Sequence, residues 1–226
     1  MAEKKIRIIK NGPYEVTGNV PLVQAVIEPD HQGISANWEE GKRYEQRDEY
    51  YLCRCGGSAS KPYCDGSHVK IGFTGNETAT HGTGPQKTYS GKGVDLIDEE
   101  LLCSSMRFCD RAPRAWTAAV NSHIEEYKEI AIEEACSCAS GRLTAVDKDG
   151  NIYEPKLDQE ISPIQDTAAG RRGPLWVKGG ILIEGADGQG YKIRNRVTLC
   201  RCGRSSNMPF CDTSHFNVPS MKGTDK

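Results

Sequence analysis

Short stretches of alternating apolar and polar residues occur near both ends of the chain. In the first part they predict β-strands at residues 20–27 and Glu49–Leu52. In the last part they predict strands at residues 178–184 and 191–199, with a turn at the glycine-rich residues 186–190 between them. Both ends are therefore predicted to be β-rich.

The middle of the chain has a helical pattern instead. Residues 98–109 are rich in helix formers. Ser122 and Glu125 have the spacing of a capping box, in which both side chains satisfy exposed amide groups at the start of a helix. Four apolar residues at helical spacing accompany this box: Ile124, Tyr127, Ala131 and Ala135. Residues 143–153 then predict a β-hairpin.

The two ends of the chain are copies of each other. Residues 53–68 read CRCGGSASKPYCDGSH and residues 200–215 read CRCGRSSNMPFCDTSH, with ten of the sixteen positions identical. A Gly-Pro pair precedes each copy, at Gly12 and at Gly173, and the longer first copy indicates an insertion around residues 28–43. This repeat predicts a pseudo-two-fold arrangement within one chain, so we expect a monomer.

These patterns predict an α+β fold, with two small β-rich modules in a pseudo-two-fold arrangement and a helical domain inserted between them. The predicted parts are a first module at 1–76, a linker at 77–94, a helical segment at 95–155 and a second module at 156–226.

Composition and charge restrict the classes of function. Of the 226 residues 37% are hydrophobic, which is little core material for this length, so bound metal is a candidate source of stability. A net charge of −2 gives no general attraction to nucleic acid or to anionic membranes. No apolar stretch reaches the roughly 18 residues that span a bilayer. The first residues show no export or transit signal, so we expect a cytoplasmic location.

The ten cysteines are the candidates for chemistry. They fall into three groups, and close-spaced cysteines in a reducing compartment are typical of metal sites. Both copies share the spacing C-x-C-x8-C-x3-H, in which the last Cys and the His lie four residues apart and share one face of a helical turn. The spacing alone is compatible with an iron–sulfur cluster and with tetrahedral zinc.

The first copy matches the signature C-x-C-x2-S-x3-P-x-C-D-G-S-H at every defined position and so resembles the CDGSH-type (NEET) iron–sulfur proteins. The second copy resembles them too, but has Thr213 where the family has Gly. The resemblance implies one [2Fe–2S] cluster in each copy and a β-cap shared between the copies. It implies that one iron in each copy is held by the C-x-C pair and the other by the last Cys and the His: Cys53, Cys55, Cys64 and His68, then Cys200, Cys202, Cys211 and His215.

By this resemblance we expect a carrier of electrons or a donor of whole clusters rather than an enzyme. Its partner would be a redox protein or an apoprotein that accepts clusters. A neutral His ligand raises the reduction potential of a cluster, and acid should loosen the cluster by protonating that ligand. Two alternatives stay open, a zinc-stabilised interaction module and an electron-relay subunit of an oxidoreductase.

Arginines are more frequent around the second copy than around the first. Four of them lie near its ligands: Arg194, Arg196, Arg201 and Arg204. Because positive charge favours the reduced state, they predict a higher potential at the second site. A solvated surface is the alternative interpretation.

A third group of cysteines lies in the middle segment. Cys103-x2-Met106-x2-Cys109, followed by Cys136-Ser-Cys138, resembles a divergent single-cluster ferredoxin with Met at its central position. The resemblance implies a third cluster, [3Fe–4S] or [4Fe–4S], with Cys103, Cys109 and Cys138 as ligands and Cys136 as a fourth candidate. The alternative is a set of buried or spare cysteines without metal.

Overall fold

The computed structural model describes residues 3–225, and the chain is mostly β-sheet. Its strands are β1 Lys5–Ile8, β2 Tyr14–Thr17, β3 Val23–Pro29, β4 Ser35–Arg43, β5 Glu49–Leu52, β6 Lys87–Ser90, β7 Val94–Asp98, β8 Leu143–Asp147, β9 Ile152–Tyr153, β10 Ile161–Asp166, β11 Arg171–Lys178, β12 Leu182–Glu184 and β13 Arg196–Leu199. Its helices are α1 Ser67–Lys70, α2 Ala115–Val120 and α3 Glu125–Ser137. None of the helices in this part of the chain has the length and apolar character needed to cross a bilayer.

Two of the three sheets combine strands from both copies. The first has the order β12-β1-β2-β5 and the second β13-β11-β10-β3-β4. In the first, β12 of the second copy pairs in parallel with β1, with Ile6 opposite Ile183. In the second, β3 of the first copy pairs in parallel with β10, with Val26 opposite Gln165. The predicted ranges 1–76 and 156–226 therefore share sheets by exchanging strands.

The core lies between these shared sheets and takes buried apolar residues from strands of both. Tyr14 and Val16 of β2 are fully buried, and so are Leu175 and Val177 of β11. Burying a large apolar side chain stabilises the fold by about 2 kcal/mol. In the two copies, Tyr14 lies opposite Leu52 and Leu175 lies opposite Leu199. Each of these strand pairs ends immediately before the first cysteine of its motif.

The predicted insertion in the first copy is the outer part of a hairpin formed by β3 and β4. Trp38 of β4 stacks on Phe108 of the middle segment at 4.6 Å between ring centroids, and it lies 4.7 Å from Trp176 of the second copy. The insertion therefore packs the first copy against both the middle segment and the second copy.

The predicted strands are found with changed ends. Glu49–Leu52 is a strand with the predicted bounds. The strand predicted at 20–27 is found at Val23–Pro29. The stretch 178–184 is not continuous, since Gly179 and Gly180 have φ of 72° and 74° and interrupt it. Of 191–199 only Arg196–Leu199 pairs as a strand.

The inserted unit is a mixed structure rather than a helical one. Helices α2 and α3 pack on a four-stranded sheet of order β6-β7-β8-β9, and β6 lies inside the predicted linker. The predicted hairpin at 143–153 is confirmed by the pairing of β8 with β9. The helix predicted at 98–109 is wrong: 3₁₀ turns at Glu100–Leu102 and Phe108–Asp110 flank a segment in which Ser105 and Arg107 have positive φ.

The capping box predicted at Ser122 is also wrong. Helix α3 begins at Glu125, and the Ser122 hydroxyl accepts hydrogen bonds from the N–H groups of Gly93 and Val94, both at 3.0 Å. The tertiary contact with the start of β7 therefore replaced the local cap.

A buried acid in α3 should make the stability of the protein depend on pH. The Glu134 side chain is 1% exposed, and burial raises its pKa to about 8. The positive charge of Arg111, 3.6 Å away, opposes this rise, and the negative charges of Glu133 and Asp110 add to it. A raised folded-state pKa means that the folded form keeps a proton that the unfolded form releases. The free energy of unfolding should therefore fall, by on the order of 2 kcal/mol, as pH rises from about 5 to 8.

Urea unfolding at a series of pH values measures this dependence. We expect Glu134→Gln to flatten it and Glu126→Gln, at an exposed position in the first turn of the same helix, to leave it unchanged. Equal slopes for Glu134→Gln and the parent would contradict the assignment.

Candidate metal centres

The first motif folds back on the end of β5. The N–H of Cys53 donates to the carbonyl of Pro62 at 2.8 Å, and the N–H of Cys64 donates to the carbonyl of Tyr51 at 2.9 Å. These bonds bring both halves of the motif to the same strand end. The Sγ atoms of Cys53 and Cys55 are 3.9 Å apart, and Sγ of Cys64 is 3.4 Å from Nδ1 of His68.

The second motif repeats this arrangement at the end of β13. The N–H of Cys200 donates to Pro209 and that of Cys211 to Thr198, at 2.8 and 2.9 Å. The Cys200 and Cys202 Sγ atoms are 3.5 Å apart, and Sγ of Cys211 is 3.4 Å from Nδ1 of His215. The structure thus brings together all eight predicted ligands as four pairs.

The distances within the pairs fit one tetrahedral metal for each pair. Two thiolates on a tetrahedral metal stand roughly 3.8 Å apart when each metal–sulfur bond is about 2.3 Å. Within residues 3–225, no three His, Cys, Asp or Glu side chains converge as ligands of a single ion. Each copy thus offers two pairs of candidate ligands, each pair with the spacing for one metal ion.

In each copy we call the two cysteines of C-x-C the inner pair, and the last Cys with the His the outer pair. An aspartate beside each outer pair holds the loop in place by accepting backbone hydrogen bonds. Asp65 accepts hydrogen bonds from the N–H groups of Ser67 at 3.0 Å and Ala59 at 2.8 Å, and Asp212 accepts from Ser214 and Ser206 at 3.0 and 2.7 Å. The bond to Ser67 satisfies the first amide of α1, although Gly66 is the capping residue. Hydrogen bonds from Ser67 and Ala59 lower the pKa of Asp65, so its carboxylate is ionised.

The inner pairs favour one ionised thiol each. The hydrogen bond from Cys55 lowers the pKa of Cys53 to about 6, and the bond from Cys202 lowers that of Cys200 to about 7. Their partners have raised pKa values for the same reason. Metal binding requires thiolates, so each inner pair has a ligand that is already ionised near neutral pH.

The two sites are joined through their inner ligands. Cys55 and Cys202 form an antiparallel backbone bridge across the copies. Gly56 and Gly203, with φ of 75° and 77°, follow these residues, and a Cβ on either would lie 2.5 or 2.6 Å from the carbonyl oxygen of the opposite cysteine. The absence of a side chain at these glycines lets the two copies approach each other.

The residue between the two cysteines of each C-x-C sequence is a buried arginine, Arg54 in the first copy and Arg201 in the second. Arg201 donates to the carbonyls of Gly173 and Ile164 and pairs with Asp225. Arg54 is 1% exposed and donates to the carbonyl of Gly75, while its Nε and Nη1 atoms have no hydrogen-bond partner among the described residues. A buried cation without an anion is costly, so an anionic group bound at these cysteines would fit this environment.

The sequence did not identify the contact that links the first copy to the second ligand loop. The Tyr14 hydroxyl donates to the carbonyl of Cys200 at 2.7 Å, with the carbonyl of Pro209 at 3.2 Å. Tyr14 is fully buried, and a tyrosine two residues after a glycine gives no signal for this contact in the sequence.

The arginines around the second site are mostly neutralised. Arg194 pairs with Glu99 at 2.8 Å, Arg196 with Glu154 at 2.9 Å and Arg201 with Asp225 at 2.6 Å. The net positive charge at this site is therefore smaller than the sequence indicated, and the basis for a higher potential there is weaker.

Thr213 adopts the left-handed conformation that Gly66 has in the first copy, with φ of 77° against 83°. A Cβ at Gly66 would meet nothing within 4 Å, so the conformation rather than space disfavours a side chain. We expect Thr213→Gly to raise the free energy of unfolding by about 1 kcal/mol and Gly66→Ala to lower it by a similar amount. Denaturant unfolding measures both, and a loss of stability in Thr213→Gly would contradict this explanation.

The middle cysteines are only partly brought together. Cys103, Cys109 and Cys138 line one cavity of about 110 Å³. Cys136 lies elsewhere, with its Sγ 3.7 Å from the carbonyl of Tyr153, so it is not placed as a fourth ligand at this cavity. Burial raises the pKa of Cys109 to about 12.

Comparison with known proteins addresses the two motifs. A family model described as an iron-binding zinc finger of the CDGSH type matches residues 11–69 and residues 172–216. No curated protein and no solved structure matches the chain. The matched segments contain all four ligand pairs, and the middle unit lies outside them.

Proposed function

Because the chain carries two iron-binding domains of the CDGSH type, we propose that it binds two [2Fe–2S] clusters and serves in electron transfer or in the transfer of whole clusters. The arrangement of the ligands as two pairs in each copy carries this proposal. Three Cys and one His would hold each cluster: Cys53, Cys55, Cys64 and His68 in the first copy, and Cys200, Cys202, Cys211 and His215 in the second.

The surrounding residues support an anionic group at each site. A bound [2Fe–2S] cluster supplies one-electron chemistry, and its His ligand raises the potential above that of an all-thiolate site. Cys53 and Cys200 ionise readily, and Arg54 offers a buried positive charge. Burial, together with the charges of Arg201 and Arg171, lowers the pKa of His215 to about 4, which keeps its imidazole in the neutral form that a metal ligand needs.

The pairing of ligands favours this function over a zinc-stabilised interaction module. A single structural zinc ion needs four ligands around one point, whereas the ligands here stand as two separate pairs. We propose no substrate of the chain's own. Its partner would be a redox protein or an apoprotein that accepts clusters, and an oxidoreductase that takes electrons from the chain would belong to the first kind.

Iron, acid-labile sulfide and zinc analysis of the anaerobically purified chain tests the proposal, together with EPR of the reduced protein. The two CDGSH sites should contribute about four irons and four sulfides per chain. Cys64→Ala and Cys211→Ala should each lose the iron of one site, while Cys136→Ala keeps the parental content. A colourless protein that contains zinc would contradict the proposal.

A third candidate centre lies in the middle unit. We propose that Cys103, Cys109 and Cys138 hold a third cluster, [3Fe–4S] or [4Fe–4S], because the three thiols line a single cavity. Arg142, held by Asp98 at 2.6 Å, also lines this cavity and provides positive charge beside it. Three thiol ligands would leave one corner of a four-iron cluster without a cysteine.

The iron count separates two centres from three. A third cluster would raise the total to about seven or eight irons per chain. The triple variant Cys103→Ser, Cys109→Ser, Cys138→Ser should then return it to about four while keeping the signals of the other sites. A parental content of about four would remove the third centre and leave the first two in place.

A further inference from the structure

The two sites differ in how far solvent can reach their outer ligand pairs. Cys211 and His215 are 3% and 2% exposed, whereas Cys64 and His68 are both partly exposed. None of the residues of α1, which carries His68, is buried. The sequence gives no sign of this difference, because the ligands have identical spacing in the two copies.

Residues from three parts of the chain cover the outer pair of the second site. The ring of Phe216 lies 4.5 Å from that of His215. The guanidinium groups of Arg107, from the inserted unit, and Arg171, from β11, each lie 5.9 Å from the centre of the Phe216 ring. Arg107 is itself fixed by buried Asp166 at 2.8 Å, so this cover is anchored.

The segment after the second motif covers the inner pair in the same way. Met221 is fully buried and packs with Cys200, Cys202 and Met208. Farther along, the Asp225 carboxylate pairs with Arg201 and Arg172, at 2.6 and 3.0 Å, and holds this segment down.

The chain takes a different course after the first motif. Val69 and Ile71, on either side of the end of α1, are 75% and 56% exposed. Phe73, which follows them, packs against the buried cluster that contains Cys200 and Cys202 of the second site. The first copy therefore contributes to covering the second site while its own outer pair stays open.

We propose that the two sites have different roles, a division of work in which the first site exchanges iron or whole clusters with thiol-bearing acceptors and the second site retains its cluster. The inference rests on the proposed function. An incoming thiol or chelator must reach the outer ligand pair, and at the second site this requires local opening of the cover. Electrons need no such opening, and the backbone bridge between Cys55 and Cys202 connects the retained site to the open one.

Release of iron from the full chain, loaded and purified anaerobically, tests this division. With excess bathophenanthroline disulfonate, we expect the iron of the two sites to leave in a fast and a slow phase of equal amplitude. The slow phase should be at least about tenfold slower, which corresponds to about 1.4 kcal/mol of opening free energy. Cys64→Ala should keep only the slow phase of these two, and Cys211→Ala only the fast one.

Variants of the cover give the second measurement. Phe216→Ala should speed the slow phase and leave the fast phase unchanged, Phe216→Leu should have a smaller effect, and Ile152→Ala, at an exposed position of the inserted unit, should change neither. Release of both sites' iron at one rate would overturn the division of work. So would a fast phase in Cys64→Ala that persists when Cys103, Cys109 and Cys138 are also replaced by Ser. A chain that binds no iron and sulfide would instead overturn the proposed function itself.

Discussion

Replacing Gly203 by alanine is expected to lower the free energy of unfolding by about 3 kcal/mol and to weaken iron binding at both CDGSH sites. The new Cβ would lie 2.6 Å from the carbonyl oxygen of Cys55, closer than real Cβ atoms approach backbone, and φ is 77°. The clash and the left-handed conformation each cost on the order of 1–2 kcal/mol. The backbone bridge from Cys55 to Cys202 would have to open, and both inner ligand pairs would shift.

Gly188 provides the matched control. Its φ is 83°, but a Cβ there would meet nothing within 4 Å. Gly188→Ala should therefore cost only about 1 kcal/mol, which isolates the clash between the copies from the conformational strain. Denaturant unfolding and iron analysis of the two variants measure the difference. Equal losses of stability, with iron retained in Gly203→Ala, would show that the copies do not depend on this close approach.

Replacing Arg196 by methionine is expected to cost about 2–4 kcal/mol, because it takes a side-chain donor away from several backbone carbonyls and removes the partner of Glu154. Arg196 is 1% exposed and pairs with Glu154 at 2.9 Å. It also donates to the carbonyls of Ala135 and Cys138, both at 2.6 Å, at the end of α3. The N–H groups of Cys138 and Gly141 also donate to these carbonyls, at 3.2 and 3.1 Å, so Arg196 supplies a second hydrogen bond to each. One side chain of β13 thus holds the inserted unit against the second copy.

Urea unfolding and limited proteolysis measure this loss, and we expect the inserted unit to be cleaved first. Arg204→Met, at an exposed position beside the second motif, is the control and should change stability by less than about 0.5 kcal/mol. Combining Arg196→Met with Glu154→Gln should cost less than the sum of the single changes, since each removes the same pair. Additive losses, or a stable Arg196→Met variant, would contradict this role.

Much of the local structure around the sites follows from the sequence. The Cys and His spacing predicted which residues come together, and the alternating pattern predicted the strand Glu49–Leu52 that leads into the first motif. The helix predicted at 98–109 was wrong because its backbone follows the wall of a cavity, with Ser105 and Arg107 at positive φ. Ser122 did not cap α3 because β7 offered its hydroxyl two buried N–H donors. In both cases a long-range contact outweighed the local preference.

The sequence by itself determined the duplication, the pairing of eight Cys and His residues and the CDGSH character of both copies, because these depend on residue type and on spacing within one loop. Only the tertiary structure decided the exchange of strands, the bridge between Cys55 and Cys202, the pairing of the arginines and the exclusion of Cys136 from the middle cavity. It also made the sites unequal, open at His68 and covered at His215. The physical reason is that burial and charge pairing are set by residues far away in the chain, such as Arg107 and Asp225, whose positions no local pattern encodes.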